Sequence, residues 1–336
     1  MESTTFTTRR KILSVDVTMK IVDLDGYAAN PGDISWDGVK ELGEFTFYDY
    51  SEDNQIIERA KDAEIVLVNK INMTREIIEQ LPKLKYIGEL ATGYNNIDLQ
   101  AAKEHGVIVT NIPAYSTDSV AQFVFAHLLN VATHADHYAC QTRKGVWSSK
   151  KTFCYWDEPL FELAGKTLGI IGLGNIGTKV AWIGHMLGMD ISAYTSKNSS
   201  NLPEWIRKTT LEGLYHTADI ITLHCPLTKE NTHMINKEAL AQMLPGTILI
   251  NTGRGALIDE LAVANALEEG HLEAYCADVM EQEPPRKDNP LIKQPNAYIT
   301  PHIAWATIEA RQRLMNICVE NIKTFIAGNP QNVVNK

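Results

Sequence analysis

Several missing features narrow the possibilities first. The five cysteines, Cys140, Cys154, Cys225, Cys276 and Cys318, are scattered over 336 residues and no two form a C-x-x-C pair. This excludes a disulfide framework and a cysteine-ligated zinc site; no metal is expected, and the reduced thiols suit a cytoplasmic protein. No apolar run approaches the roughly 18 residues that a membrane helix requires, so no membrane partner is expected. Basic residues are in deficit, 31 Lys and Arg against 41 Asp and Glu, for a formal net charge of -10. Nucleic-acid binding requires a basic face, so nucleic acid is not an expected partner, although a local cationic site for a small anion is compatible with this charge. Internal repeats and low-complexity tracts are also lacking, which excludes solenoids and arrays.

What is present is an alternation. The length suggests two domains, and a composition 44% hydrophobic and 21% charged suits globular units with substantial cores. The start, "MESTTFTTRRKILSVDVT", is rich in Ser and Thr, and residues 1–18 are expected to be a disordered or non-native extension, because Met19 opens a clean strand, "MKIVDLDGY". Then "KIVDL", "FTFYD", "EIVLVN", "KYIGEL" and "VIVTN" alternate with the helical stretches "SWDGVKEL", "NQIIERA", "TREIIEQL" and "DLQAAKEHG". Such alternation indicates an α/β unit with a parallel sheet and crossover helices. One long helix is expected from about Asp118 to Arg143, N-capped by Asp118 or Ser119, followed by an aromatic-rich loop carrying Trp147 and Trp156. The pattern then restarts with "KTLGIIG", "DISAYT", "DIITLHC", "GTILINTG", "EAYCADV" and "NAYIT", and a last helix from about Trp305 to Ile326 has no strand after it. A helix of that kind is expected to pack back on the first unit.

The stretch "GIIGLGNIG" places Gly172, Gly174 and Gly177 in a G-x-G-x-x-G pattern between a strand and a helix, the context of dinucleotide binding. The glycines permit a tight turn, close approach of the backbone to a pyrophosphate and close helix–strand packing, with the phosphate on the helix N-terminus. About twenty residues on, an acid normally holds the ribose hydroxyls. Here that strand ends in "TSKN", with Thr195 in the position of the acid and Ser196 and Lys197 after it. Hydroxyls and a cation suit a 2'-phosphate, so NAD(P)H is the expected cofactor, with a modest preference for NADPH. The bland reading of the same residues is a solvated turn.

Three later strand ends carry unusual chemistry: Arg254 in "INTGRGALID", Glu283 in "ADVMEQEPP" and His302 in "YITPHIAWAT". Ligands of open α/β sheets bind at the carboxyl ends of strands. A carboxylate beside an imidazole favours the imidazolium, which can donate a proton to a carbonyl oxygen and recover it in reverse. An arginine fork matches a carboxylate in two hydrogen bonds. With a nicotinamide supplying hydride, this set is machinery for interconverting a 2-keto acid and a 2-hydroxy acid. Ala91, Thr92 and Gly93 in "ELATGYNNID" lie at a first-unit strand end, where small residues let N–H groups point at a carboxylate. Lys70, at another strand end, reads more simply as a solvated lysine.

These motifs together resemble the D-isomer-specific 2-hydroxyacid dehydrogenases, most of all their glycerate dehydrogenase/hydroxypyruvate reductase branch. "LDGYAANPGDISWDGVKELG", "ATGYNNIDLQAA", "NIPAYSTDSVAQFVFA" and "TPHIAWAT" resemble that branch; the cofactor glycines, "HCPLTKENTHMIN", "NTGRG" and "DVMEQEPP" resemble the family at large. The resemblance implies two doubly wound parallel-sheet domains with the active site in a cleft between them. A flavodoxin-like substrate domain would span 19–114 and 301–336, and a Rossmann cofactor domain 115–300. It assigns Arg254 to substrate orientation, Glu283 to tuning the histidine and His302 to general acid/base work, with the backbone of Ala91, Thr92 and Gly93 on the substrate carboxylate. Asn175, Ile176, Cys225, Pro226, Asn231, Thr252 and Asp278 match family cofactor contacts. It also implies a homodimer formed through the cofactor domain. Thr195 departs from the family pattern and puts NADH preference in doubt. The substrate implied is hydroxypyruvate or glyoxylate, giving D-glycerate or glycolate. Alternatives are a D-3-phosphoglycerate or D-lactate dehydrogenase of the same family, and, in another class, a dinucleotide-sensing corepressor-like protein.

Overall fold

The computed structural model describes residues 19–336, and the extension expected at residues 1–18 lies outside them. The chain divides into two compact units, one of the residues up to Pro113 together with Gln312–Lys336, the other of Ala114–Arg311. In the first unit, strands β1 (Met19–Asp23), β2 (Gly43–Phe47), β3 (Ile65–Val68), β4 (Tyr86–Glu89) and β5 (Ile108–Thr110) form a parallel sheet in the order β2-β1-β3-β4-β5. Short helices α1 (Asp37–Lys40), α2 (Asp53–Ala60), α3 (Arg75–Glu79) and α4 (Leu99–Glu104) make the crossovers. β3 reads Ile-Val-Leu-Val and is buried throughout, as a strand covered on both faces must be.

The second unit opens with α5 (Thr117–Thr133) and α6 (Ala135–Arg143). The single helix expected over 118–143 is therefore two: His134 adopts a left-handed conformation at φ 47°, and the Asn130 side chain accepts from the N–H of Asp136 across the break. The N-cap is Ser116, neither Asp118 nor Ser119; Asp118 instead pairs with Lys179 at 2.9 Å. There follow β6 (Thr167–Ile171), α7 (Asn175–Met186), β7 (Asp190–Tyr194), β8 (Ile206–Lys208), α8 (Leu211–Tyr215), β9 (Ile220–Leu223), α9 (Lys237–Leu240), β10 (Thr247–Asn251), α10 (Glu260–Glu268), β11 (Leu272–Ala277), β12 (Ala297–Ile299) and α11 (Ile308–Ile326). The parallel sheet runs β12-β11-β10-β9-β6-β7-β8. β8 is the strand that the sequence pattern does not reveal: of its three residues only Ile206 is buried.

Period-two alternation builds a core on each face of this sheet. Ile170, Ile220, Ile248 and Ile250 point to one face, with Val124 and Leu128 of α5 and Val180 of α7. Ile171, Ile221 and Leu249 point to the other, with Leu214, Val263 and Leu267. Fully burying each such side chain contributes about 1.5–3 kcal/mol before chain entropy is subtracted. Among the described residues no helix is long and apolar enough to cross a membrane.

From Gln312 the last helix belongs to the first unit. Phe325 packs on Tyr86 with ring centroids 4.7 Å apart, and Asn321 donates to the Asn111 carbonyl at 3.0 Å. Val334 donates to Val109 at 2.9 Å, and Val333 bridges Thr110 in antiparallel fashion. The units part at 311/312 and not at 300/301: Ile303 and Ala304 donate to Asp278, and Ser119 donates to the Ala304 carbonyl, which holds this stretch in the second unit. The helix itself starts at Ile308, not Trp305; Thr307 precedes it and its hydroxyl accepts from the N–H of Ala310.

Two carboxyls end β1. Asp25 accepts three backbone N–H groups, from Asn69 at 2.8 Å, Lys70 at 2.6 Å and Ile71 at 3.0 Å. Asp23 is fully buried and, among the described residues, accepts only from the Asp25 N–H, with Oδ2 left without a hydrogen-bond partner. Burial, then the charge of Asp25, hold the Asp23 carboxyl well above the usual carboxylate range. A raised folded-state pKa means that the folded protein binds this proton more tightly than the unfolded chain, so stability falls as pH rises through the window above about 4. Asp23→Asn is therefore expected to match wild type near the acid end of that window and to show the higher urea midpoint at pH 8. Parallel midpoints at both pH values would contradict the assignment.

Candidate active site

The turn between β6 and α7 has the shape of a phosphate cradle. Gly172 lies at φ +94°, and a Cβ there would meet the Cys225 nitrogen at 2.5 Å. A Cβ on Gly177 would sit 2.1 Å from the Gly172 carbonyl oxygen, whereas one on Gly174 would meet nothing within 4 Å. Two glycines are thus required by close backbone packing, and the third opens onto free space at the N-cap of α7, before Asn175 and Ile176. Across from this turn, burial pushes the His224 imidazole down to about 3, so it is neutral there, and it shares a hydrogen bond of 2.9 Å with Thr222. Burial raises the Cys225 thiol, which stays protonated. Asn231 folds the following loop by accepting from Thr228 at 2.7 Å and donating to the Pro226 carbonyl at 2.8 Å.

At the end of β10, buried Asn251 accepts from Gly253 N–H at 3.0 Å and donates to the Arg254 carbonyl at 2.9 Å. Thr252 comes next, with a buried hydroxyl that no described group satisfies. A Cβ on Gly255 would lie 1.9 Å from the Met280 carbonyl carbon, so only glycine lets the Arg254 loop lie against the 280–281 backbone. The Arg254 guanidinium donates to Gly253 O at 2.8 Å and has no ion pair among the described residues. Past β11, Glu283 accepts from the Met280 N–H at 3.1 Å with one oxygen and meets His302 Nδ1 at 2.7 Å with the other. Both side chains are partly open to solvent. Asp278, expected among the cofactor contacts, directs its carboxylate to the loop 300–304.

At the end of β7, the Thr195 hydroxyl accepts from the Lys197 N–H at 3.2 Å, while Ser196 and Lys197 are exposed. Lys208 of β8 donates to the Lys197 carbonyl at 2.6 Å and brings a second cation to this turn. Sequence reasoning misses this lysine together with its strand. In the first unit, Asn111 donates to the Thr92 carbonyl, and Ile112 both donates to the Ala91 carbonyl and accepts from the Thr92 hydroxyl. The N–H groups of Ala91, Thr92 and Gly93 donate to no other described residue. The structure thus joins Glu283 to His302 and lays the Arg254 loop against the 280–281 backbone, whereas the 91–93 loop belongs to the other unit. Asn251, Ser119 and Trp305 also shape the site; the sequence offers Ser119 only as a possible helix cap and Trp305 only as the start of the last helix. Among the described residues no group of three or more His, Cys, Asp or Glu side chains could hold a metal ion.

Residues 125–304 match the family model described as D-isomer specific 2-hydroxyacid dehydrogenase, NAD binding domain. The chain belongs to this dehydrogenase family. It is 46% identical over 322 residues to a hydroxypyruvate reductase of Blautia hydrogenotrophica, covering 95% of this chain and 100% of the relative. An acyclic imino acid reductase in complex with NADPH and D-Arg is similar with a TM-score of 0.82 and 31% identity, covering 94% of this chain and all of the other. A D-lactate dehydrogenase from Aquifex aeolicus, complexed with NAD and lactic acid, is similar with a TM-score of 0.82 and 30% identity, covering 94% and 99%. The dehydrogenase takes a nicotinamide dinucleotide, and its residues fit that group. Open space at Gly174, free N–H groups at the start of α7 and the orphaned Thr252 hydroxyl are what a pyrophosphate and its flanking ribose require.

Proposed function

We propose that this dehydrogenase reduces short, unphosphorylated 2-keto acids, hydroxypyruvate to D-glycerate and glyoxylate to glycolate, reversibly. The observation that carries the reading is the 2.7 Å pair of Glu283 and His302, with the Arg254 loop lying against the 280–281 backbone that leads to Glu283. With Nδ1 held by Glu283, Nε2 of His302 is left to carry the proton for the keto oxygen. Arg254, with no ion pair among the described residues, offers its fork to the substrate carboxylate. In the first unit, the N–H groups of Ala91, Thr92 and Gly93, uncommitted among the described residues, suit a carboxylate. A bound reduced nicotinamide supplies hydride to the carbonyl carbon; with the proton on oxygen, C=O becomes CH–OH. Similarity to a hydroxypyruvate reductase supports the choice of keto acid. A phosphorylated substrate would want further cations near the 91–93 loop, where Lys70 is the candidate.

For the cofactor, a modest preference for NADPH follows from the β7 turn. No acid stands at Thr195 to repel a 2'-phosphate, Ser196 can donate, and Lys197 and Lys208 both lie at the turn. Contacts with exposed lysines are worth about 1 kcal/mol or less, so both cofactors work. Assembly is proposed as a homodimer in a reducing, cytoplasmic setting. The aromatic loop is pinned to α6: the Tyr138 hydroxyl accepts from Asp157 and Glu158 N–H groups, and Tyr155 donates to Gln141 at 2.8 Å. Yet Trp147, Phe153 and Trp156 are 49%, 89% and 69% exposed. Apolar rings held rigidly outward mark a contact surface.

His302→Ala is expected to lower kcat for hydroxypyruvate by about 10²- to 10⁴-fold with cofactor affinity kept. Near wild-type turnover would refute the role, and faster turnover of pyruvate or 3-phosphohydroxypyruvate would refute the substrate. Thr195→Asp should shift the kcat/KM ratio toward NADH by about fivefold, the equivalent of about 1 kcal/mol; a wild type that already strongly prefers NADH would show that the turn is misread. Light scattering at micromolar concentration should give a dimer that Trp156→Asp weakens, and a monomeric wild type would contradict the assembly.

A further inference from the structure

His302 holds its backbone in the left-handed region, at φ 54°. A residue with a side chain keeps that conformation, at a cost of order 1–3 kcal/mol, only where its surroundings over-determine it. Relaxation to an ordinary negative φ would swing the imidazole away from Glu283. The neighbours that prevent this come from three places in the second unit. Asp278, 1% exposed, accepts the Thr300 hydroxyl at 2.7 Å and the Ile303 N–H at 2.8 Å on one oxygen, and the Ala304 N–H at 2.7 Å on the other. Ser119 of α5 donates its hydroxyl to the Ala304 carbonyl. Trp305 donates its indole N–H to the carbonyl of His302 itself at 2.8 Å, with its ring edge-on to Tyr115. The chain is thus gripped before His302, after it and on its own peptide.

We infer that Trp305, Ser119 and Asp278 are positioning residues, which aim the His302 imidazole by clamping its backbone and so control proton delivery. This assigns the Asp278 carboxylate to the loop and gives Trp305 and Ser119 a part in turnover. The bond from Trp305 matters most, because the His302 carbonyl belongs to the strained peptide and the indole is the donor that meets it. Misplacement of a reacting group by about 1 Å costs on the order of 100-fold in rate, so loss of one bond of the clamp should lower kcat by about 10- to 100-fold.

The inference rests on His302 as the proton donor, and its test separates the two. Trp305→Phe keeps an aromatic ring and removes the donor; Ser119→Ala removes the second grip. Each is expected to lower kcat for hydroxypyruvate while leaving NADH and NADPH dissociation constants unchanged. Each should also broaden or shift the downfield proton signal of the His302–Glu283 pair, identified by its absence in His302→Ala. A purely structural role would lower the denaturation midpoint without moving that signal or the kcat of the folded enzyme. Wild-type kcat and an unmoved signal in both variants would overturn the clamp while an inactive His302→Ala left the donor assignment standing; an active His302→Ala would remove that assignment instead. Should Trp305→Phe fail to fold, Ser119→Ala decides by the same two readouts.

Discussion

A buried carboxylate that meets no cation must be satisfied by N–H and O–H groups, and at Asp278 that requirement organises the loops of the active site. Its side chain gathers Thr300, Ile303 and Ala304, and its own N–H donates to the Asn251 carbonyl. Asn251 in turn shapes the turn that carries Arg254. One run of hydrogen bonds therefore links the ends of β10, β11 and β12 and sets the arginine loop and the histidine loop in a common frame. Behind it His127 faces the Thr300 hydroxyl at 3.4 Å. Burial pushes the His127 imidazole down against the pull of Asp278, which favours its neutral form beside this network.

The two sheets treat their points of strand reversal differently. In the second sheet the order reverses between β6 and β9. There the backbone at Gly172 and Cys225 closes so tightly that no side chain fits, and the opening lies one step along, at Gly174. In the first sheet the reversal falls between β1 and β3. Asp25 already occupies the N–H groups of Asn69, Lys70 and Ile71 there. An internal carboxylate fills the place where an external anion would otherwise sit, whereas the N–H groups of residues 91–93, after β4, stay uncommitted among the described residues.

Features that rest on local chemistry were legible in the residues. Buried parallel strands announce themselves as apolar runs, and glycines at a strand-to-helix turn announce close backbone packing. Glu283 and His302 stood out because polar residues at strand ends are conspicuous against apolar runs, and the structure brings them into contact. Features that depend on tertiary partners were not legible. β8 has one buried residue and no alternation to reveal it. The break at His134 needs a left-handed residue, which histidine tolerates but does not announce. Asp278 and Ser119 act on backbone groups more than twenty residues away, and nothing in their own neighbourhoods names those targets.

The split of the first unit has a consequence for how the chain is made. Residues 19–113 leave the ribosome before the second unit, yet Val109 and Tyr86 find their partners in Val334 and Phe325 only after that whole unit has emerged. The second unit is continuous in sequence, so it can fold during synthesis. Until α11 and the 333–334 segment arrive, β5 is an edge strand lacking the segment that later pairs with it. Such edges template aggregation, and β5 carries that liability until the last segment of the chain is made.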